Sequence, residues 1–495
     1  MLKTSHDKNE KIYLRKKITY SKLSRDIFIF CRLCLYICPS FFAFLSGLIV
    51  LYNRYNAAPG YEHMALLPFS YGILYLIFPS MSRYIVSHIG MLIMNIIMLI
   101  RYVIMPLVIA ISGSYGGFGQ NPDSNTVRLA IFIMLYEMLV VFIVVAVFAK
   151  SIYKDKKTKK YDFSHVPLNS KIVILCLIAV AIGVIARYPE VLERYHFFVI
   201  RKEFKARVEI QALFKGLIEL LSEWAKYFIY IIMIDKFKVR YDRTGKIKYV
   251  WLSYLVSLPI VMFFINTSRY SIVVPSIVII TLMNILYPNY KTITITMISL
   301  IMLFSVGSLT LYKYFGVNSS LSTAKITLEV LAERFQMYFS GPRNIAMAIE
   351  TKHIFSNDIT INTFFNDFLG SIPGISKLVN RLDRTNTYFN YRVLGFGDNT
   401  SQIIPMSGQG YIFFGIIGAP IFTALSTYIM MRFDSRASRE ARIDYRYIFT
   451  WGAIWLGAAM MYNVQIEEAF FMNYFLPMYI IFYFNRRIVL KKRDD

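Results

Sequence analysis

Long apolar runs, separated by short polar segments, dominate the chain. One helical crossing of a bilayer needs about 20 consecutive apolar residues, and most of these runs approach that length. We therefore predict an all-α, polytopic membrane protein with about 12 transmembrane helices. The predicted spans are 27–51, 65–80, 89–112, 127–149, 171–187, 214–234, 250–266, 271–288, 292–311, 407–431, 447–463 and 469–485.

The composition agrees with this prediction. Hydrophobic residues make up 56% of the 495 positions and the mean hydropathy is +0.47, whereas soluble domains are about 45–50% apolar. The first 26 residues are polar and basic, without the short apolar core and cleavage site of a signal peptide. We therefore expect the first span to serve as its own insertion signal.

Positive charge predicts how the spans are oriented. The net charge of +25 would suggest nucleic-acid binding in a soluble protein, but lysine and arginine of membrane proteins collect in cytoplasmic segments. With the N-terminus in the cytoplasm, most of the 55 lysines and arginines fall on the cytoplasmic side. Both termini are then cytoplasmic, and we expect no nucleic-acid partner. The predicted cytoplasmic segments are 1–26, 80–88, 150–171, 235–249, 286–291, 432–446 and 486–495.

Two predicted outer segments differ from passive connections. Segment 187–215 is basic, and segment 312–402 has about 90 residues, too many for a structureless loop. We expect short helices in the longer segment, such as 320–339, which follows serines and stops at Gly341-Pro342. The predicted order is a basic tail at 1–26, membrane helices 1–9 at 27–311, the large outer segment at 312–402, membrane helices 10–12 at 403–485 and a basic tail at 486–495.

Three charged residues lie in or beside predicted spans. Arg101 and Glu137 are inside spans, where a charge at mid-helix costs about 2.5–3.5 kcal/mol on insertion scales. They are open to two interpretations, an ion pair that fixes two neighbouring helices or the charged wall of a cavity for a headgroup. Arg269 lies between two spans that leave almost no loop. It either snorkels to the interface or points a cation into an outer cavity.

The stretch "RFQMYFSGPRN" concentrates polar groups within the large outer segment. Arg334 and Tyr338 lie at i and i+4, on one face of a helix, and Arg343 and Asn344 follow the glycine-proline pair at once. Guanidinium groups suit bidentate phosphate binding, and a tyrosine can stack on a sugar ring or hydrogen-bond to it. The alternative is a solvated set of loop charges.

Motifs of nucleotide and metal enzymes are missing. The chain has no Walker A loop, no Rossmann glycine fingerprint, no HExxH and no paired Cys/His set. We therefore expect no cofactor and no metal site.

Two segments carry a resemblance to a known family. "RFQMYFSGPRNIAMAIE" at 334–350 and "NTSQIIPMSGQGYIFFGIIGAPIF" at 399–422 resemble the bacterial oligosaccharide repeat-unit polymerases that build O-antigen and capsular polysaccharide. The general layout is also similar to these proteins, with about a dozen spans, two basic outer segments and the larger one late in the chain. "LIRYVIMPL" at 99–107, with its arginine inside a span, resembles members of the same group.

This resemblance implies a function and a fold. The substrates would be undecaprenyl-diphosphate-linked oligosaccharides, in contact with membrane lipids and on the outer face of the bacterial inner membrane. The polymerase would move the growing glycan from its carrier onto a new lipid-linked unit for O-antigen, capsule or exopolysaccharide synthesis, and a chain-length regulator would be a further partner. The fold would resemble the GT-C membrane glycosyltransferases.

The reaction also suggests roles for single residues. Breaking a sugar–diphosphate bond develops negative charge on the leaving group, which preorganised arginines stabilise. We therefore expect Arg334 to act in catalysis. The residues expected to bind the diphosphate or the rest of the substrate are Arg101, Arg269, Arg343, Tyr338, Asn344 and Glu137. The attacking hydroxyl needs a general base, for which Asp398 and His353 are candidates and Glu137 is a more remote one.

Two other functions stay open at this point. An O-antigen ligase shares the carrier chemistry but uses another acceptor. A lipid-linked oligosaccharide flippase belongs to a different class, and we expect it to have short loops on both faces, unlike segment 312–402.

Overall fold

Helices account for nearly all the regular structure. The computed structural model describes Cys34, residues 36–153, 166–197 without Asn169, 215–265, 269–311, 327–395 without Pro373, Ser376 and Lys377, and 401–488. The tail 1–26 and residues 489–495 of the other predicted tail lie outside this description. The all-α prediction is confirmed for the described ranges.

The first nine long helices follow the predicted apolar runs. They are α1 (Tyr36–Asn56), α2 (Leu66–Ile77), α3 (Ile89–Ser112), α4 (Ser124–Ile152), α5 (Ile172–Arg187), α6 (Lys215–Thr244), α7 (Lys248–Met262), α8 (Tyr270–Leu286) and α9 (Lys291–Leu311). Within the described ranges, regular strand is confined to a two-stranded antiparallel pair, β1 (Tyr195–Phe197) with β2 (Phe263–Ile265), in which His196 lies opposite Phe264.

Length and composition identify helices that can cross a membrane. In the described part of the chain, four helices are long and apolar enough, namely α1, α3, α4 and a helical stretch at Pro288–Thr310 that includes most of α9. A bent pair later in the chain makes a fifth if it counts as one span. Four further apolar helices, α2, α5, α7 and α8, are shorter than that. The number of 12 crossings therefore stays a prediction.

Segment 312–402 contains four short helices in its described part: α10 (Leu328–Tyr338), α11 (Pro342–Ile354), α12 (Ile361–Leu369) and α13 (Thr385–Leu394). The predicted helix at 320–339 ends at Tyr338, and its first residues lie outside the described ranges. Pro342 also begins the next helix, because it lies in the first turn of α11. Backbone N–H groups in the first turn have no partner within the helix, so a proline costs no hydrogen bond there. Ser340 has a positive φ of 52° and turns the chain between the two helices.

The prediction of one continuous helix at 407–431 is wrong. The chain forms α14 (Met406–Gly418) and α15 (Ile421–Arg439), which meet at an angle of 104°. Gly415 adopts a φ of +70° inside α14, a conformation that glycine accepts without steric cost. Gly410 lies against the carbonyl of Ala419, where a side chain would overlap it. The glycines of this stretch thus allow the sharp bend.

The last helices close the structure. They are α16 (Ile443–Gly457), α17 (Val464–Phe470) and α18 (Leu476–Arg487), with a π-helical turn at Phe471–Phe475 between the last two. Helix α16 packs against α3, α8 and α15 and so lies between the two large apolar clusters of the described chain. It delivers the chain to Asn463, whose side chain accepts a hydrogen bond from the Ile466 amide at 3.0 Å and caps α17.

Candidate functional site

Arg101 and Glu137 form an ion pair between α3 and α4. The Arg101 Nη2 and Glu137 Oε2 atoms are 2.8 Å apart, and both residues are fully buried. The Thr423 hydroxyl donates to the other Glu137 oxygen at 2.7 Å. Arg101 lies on a π-helical turn, Ile100–Ile104, a rare helical distortion that is frequent at functional sites. The predicted ion pair is confirmed, whereas contact with a substrate stays a prediction.

The two arginines of the "RFQMYFSGPRN" stretch differ in their exposure to solvent. Arg334 is exposed on α10. Arg343 is buried at the start of α11 and donates to the backbone carbonyls of Phe118 at 2.8 Å and Gln120 at 2.5 Å. Burial lowers the pKa of the Arg343 guanidinium. Asn344 is also buried and donates to the Met337 carbonyl at 3.3 Å. Arg343 and Asn344 therefore stabilise the local backbone, whereas Arg334 is exposed.

Arg269 and Tyr338 come together across 69 residues of sequence. The guanidinium lies 5.9 Å from the centre of the tyrosine ring, and Nη1 donates to the tyrosine hydroxyl at 3.5 Å. Its Nε donates to the Thr310 hydroxyl at 3.2 Å. Arg269 is thus a partly exposed cation beside an aromatic ring, and its role in diphosphate binding stays a prediction.

Two predicted general bases, Glu137 and His353, differ in their surroundings, since Glu137 is fully buried. His353 is exposed, and its Nε2 lies 3.4 Å from the Tyr411 hydroxyl. The ammonium of neighbouring Lys352 donates to the Tyr411 carbonyl at 3.0 Å. Asp398 lies outside the described residues.

A buried carboxylate that the sequence did not indicate connects four segments. Asp367, on α12, accepts hydrogen bonds from the Thr385 backbone N–H at 3.2 Å and from the Gln409 amide at 2.7 Å. The Thr385 hydroxyl and the Gln465 amide donate to it as well. The Gln409 amide oxygen in turn accepts from the backbone N–H of Val464, at 3.0 Å. This network fixes α12, α13, α14 and the start of α17 against one another.

Burial raises the pKa of Asp367 to about 6, and the hydrogen bonds from Thr385, Gln409 and Gln465 oppose that shift. The residue is completely inaccessible to solvent. Because both of its oxygens already accept hydrogen bonds, Asp367 is placed to position its neighbours rather than to take a proton from a substrate.

Arg384 lies beside this network, immediately before α13. Its Nε and Nη2 atoms are buried and have no hydrogen-bond partner among the described residues. The guanidinium rests against Gly370, where any Cβ would overlap it. Burial lowers the pKa of Arg384, and the nearby carboxylates of Asp367 and Glu468 oppose that shift. Two desolvated N–H groups in a fork are suited to a bidentate oxyanion.

Glu468 supplies a second carboxylate, from α17. Its Oε2 is buried without a partner in the described part of the chain. Gln465 and Glu468 are three residues apart, so they project from the same face of α17. The cluster of Asp367, Arg384, Gln409, Gln465 and Glu468, called the Arg384 site below, thus combines a cation that can bind an anion with a carboxylate that can accept a proton.

Two signals in the sequence point toward this site. Glu467 and Glu468 lie in "NVQIEEAF", between two predicted spans and on the same predicted side as segment 312–402. Gln409 lies in the 399–422 segment that carries the family resemblance. Neither signal identifies Arg384.

The chain matches no family model, no curated protein and no solved structure.

Proposed function

We propose that the protein is a membrane glycosyltransferase that polymerises lipid-linked oligosaccharide repeat units on the outer face of the bacterial inner membrane. The observation that carries this proposal is the Arg384 site. There, Arg384 is half-buried, and its Nε and Nη2 atoms are buried without a partner in the described chain. They lie near Glu468, whose buried Oε2 also lacks a partner in that part of the chain. The sequence resemblance supports the same assignment, because the 399–422 segment contributes Gln409 to this site.

The proposed reaction assigns one role to each charged group. The donor is a glycan joined through its anomeric carbon to undecaprenyl diphosphate. The acceptor hydroxyl oxygen forms a bond to that carbon while the bond to the diphosphate oxygen breaks, and the leaving diphosphate keeps the electron pair. Glu468 takes the proton of the acceptor hydroxyl, and Arg384 stabilises the charge that develops on the diphosphate.

The hydrogen-bond network supplies the rigidity that such catalysis needs. Arg384 directly precedes Thr385, whose backbone and hydroxyl are both bound to Asp367. Glu468 follows Gln465, which donates to the same carboxylate. One buried residue thus fixes the segments that carry the cation and the base, and groups held in place cost little reorganisation during reaction.

The proposal includes a topology. About 12 crossings with both termini in the cytoplasm would place segment 312–402 and the start of α17 on the outer face, in a GT-C-like arrangement. Arg269 and Tyr338 would then lie on the same face, where they would contact the substrate away from the reacting bond. The positive-inside pattern of the sequence supports this orientation.

The direct test replaces Arg384 in the native gene. Arg384→Ala should abolish long polymer and leave single repeat units, with normal protein in the membrane. The matched control is Arg381→Ala, since Arg381 is exposed three residues earlier, and this variant should make polymer of normal length. Full-length polymer from Arg384→Ala would contradict the proposal.

Deletion of the whole gene separates polymerase from the two other functions. Loss of a polymerase leaves single repeat units attached to their acceptor. Loss of a ligase leaves long chains on the lipid carrier, and loss of a flippase traps repeat units on the cytoplasmic leaflet. The proposal predicts the first of these outcomes.

A further inference from the structure

A separate cavity of about 450 Å³ lies between α6, α8, α16 and α17. Its volume is within the range of sites for small molecules, about 300–1,000 Å³. Trp451 and Trp455 of α16 form one wall, together with Tyr227 of α6 and Phe470 of α17. Glu223 and Lys226 add charge from α6. None of these residues belongs to the Arg384 site.

The aromatic walls are held in place by mutual packing. Trp455 stacks on Phe470, with ring centres 4.9 Å apart and planes inclined by 14°. Trp451 lies 4.8 Å from Tyr227. Such pairs are stabilised beyond the area that they bury, so the aromatic wall of the cavity is held rigid.

The polar groups of the cavity include both acceptors and donors. Glu223 accepts a hydrogen bond from the Tyr474 hydroxyl at 2.5 Å, and Lys226 donates to the Phe263 carbonyl at 3.2 Å. The indole N–H groups of Trp451 and Trp455 are buried without a hydrogen-bond partner in the described chain, and Trp451 is only 5% exposed. A buried donor without a partner costs about 1–3 kcal/mol, which a hydroxylated ligand would recover.

We propose that this cavity binds a neutral sugar ring. The C–H face of a pyranose is apolar and fits a flat aromatic wall, while its hydroxyls both donate to carboxylates and accept from indole N–H groups. Glu219 and Glu223 disfavour an anion such as diphosphate. A lipid tail would leave the indole donors unsatisfied. A cationic ligand would compete with Lys226, whose charge already lies near Glu223.

The cavity is distinct from the Arg384 site but shares a helix with it. Helix α17 contributes Ile466 and Phe470 to the cavity wall and Gln465 to the Asp367 network. The two sites therefore use different residues of the same short helix. The inference rests on the cavity alone and does not require that the protein transfers sugars.

The test measures binding to the full-length protein purified in detergent. The probes are the methyl glycosides of glucose, galactose, mannose, rhamnose and N-acetylglucosamine, and the readout is tryptophan fluorescence, since two of the four tryptophans line the cavity. At least one glycoside should give a saturable change. Glu223→Gln should weaken that binding about tenfold or more, while Glu329→Gln, an exposed matched control, should leave it unchanged.

A second variant keeps the test decisive if Glu223→Gln does not fold. Trp455→Phe retains the aromatic face and removes the N–H donor, so it should also weaken glycoside binding. The inference is overturned if no glycoside saturates the signal, if both variants bind as the wild type does, or if only tetramethylammonium or pyrophosphate binds. Because no lipid-linked donor is present, any of these outcomes leaves the proposed transfer reaction standing.

Discussion

Gln409 donates a hydrogen bond to a carboxylate oxygen of Asp367 at 2.7 Å, across 42 residues of sequence. Its amide oxygen accepts from the backbone N–H of Val464 at the start of α17. One side chain therefore connects the short helices of segment 312–402 to the start of α17. The Arg384 site exists only because these distant segments meet at Asp367.

Removal of Asp367 should destabilise the protein. Asp367→Ala leaves the Thr385 hydroxyl and the Gln409 and Gln465 amides without their acceptor, and each unsatisfied buried group costs about 1–3 kcal/mol. We expect a clearly lower thermal midpoint in detergent. Asp358→Ala removes an exposed aspartate from the same segment and should leave the midpoint unchanged. Equal thermal midpoints for Asp367→Ala and Asp358→Ala would contradict the claim that the Asp367 hydrogen bonds stabilise the protein.

The pKa of Asp367 predicts a pH dependence of stability. Its folded pKa of about 6 lies above the ordinary value of 3.8, so the folded state favours the protonated form. The resulting stabilisation is complete below about pH 3.8 and is lost as the pH rises through about 6, by at most about 3 kcal/mol. The free energy of unfolding, measured between pH 4 and 8, should fall as the pH rises. Asp367→Asn should remove the part of this pH dependence that comes from Asp367. An unchanged pH profile in that variant would show that other groups control it.

The Arg101–Glu137 ion pair should be more important for stability than for transfer. Removing one partner leaves a buried charge uncompensated and should cost about 3–5 kcal/mol, whereas replacing both with apolar residues is often neutral. Arg101→Ala should therefore lower the thermal midpoint, and the double variant Arg101→Met, Glu137→Leu should recover it and still make polymer. A stable double variant that makes no polymer would support the alternative, that this pair contacts a headgroup.

Arg334 and Arg343 should respond differently to replacement. Arg343→Ala removes hydrogen bonds to the Phe118 and Gln120 carbonyls and should lower the thermal midpoint. Arg334→Ala changes an exposed side chain and should leave the midpoint unchanged. The predicted catalytic role of Arg334 requires that Arg334→Ala loses long polymer while the protein level in the membrane stays normal. Full-length polymer from Arg334→Ala would remove that residue from the site.

Part of this structure follows from the sequence, for physical reasons. A helix in lipid is predominantly apolar, so the apolar runs predicted helices that are present in the described chain. A charge within such a run needs a partner, which predicted the contact between Arg101 and Glu137. The glycines near Gly415 permit a bend, but their spacing does not say where the helix turns.

The Arg384 site could not be predicted in the same way. Its hydrogen bonds join side chains up to 98 residues apart, as between Gln465 and Asp367, and neutral amides have no characteristic spacing. Arg343 attracted attention because it lies in a dense polar stretch, yet it is bound to backbone carbonyls. Arg384 keeps two buried N–H groups without a partner in the described chain, whereas Nη2 of Arg343 binds two carbonyls. Tertiary packing decides this difference, and a local sequence pattern does not encode it.

The central claim is that Arg384 and Glu468 together perform glycan transfer. The most direct measurement uses the purified protein in proteoliposomes, with an undecaprenyl-diphosphate-linked repeat unit as both donor and acceptor, and products are followed by mass spectrometry. The wild type should form oligomers and release undecaprenyl diphosphate, while Arg384→Ala and Glu468→Gln should each be slower by about 100-fold or more and Arg381→Ala should be unaffected. Absence of oligomers from the wild type, or wild-type rates from either site variant, would contradict the account.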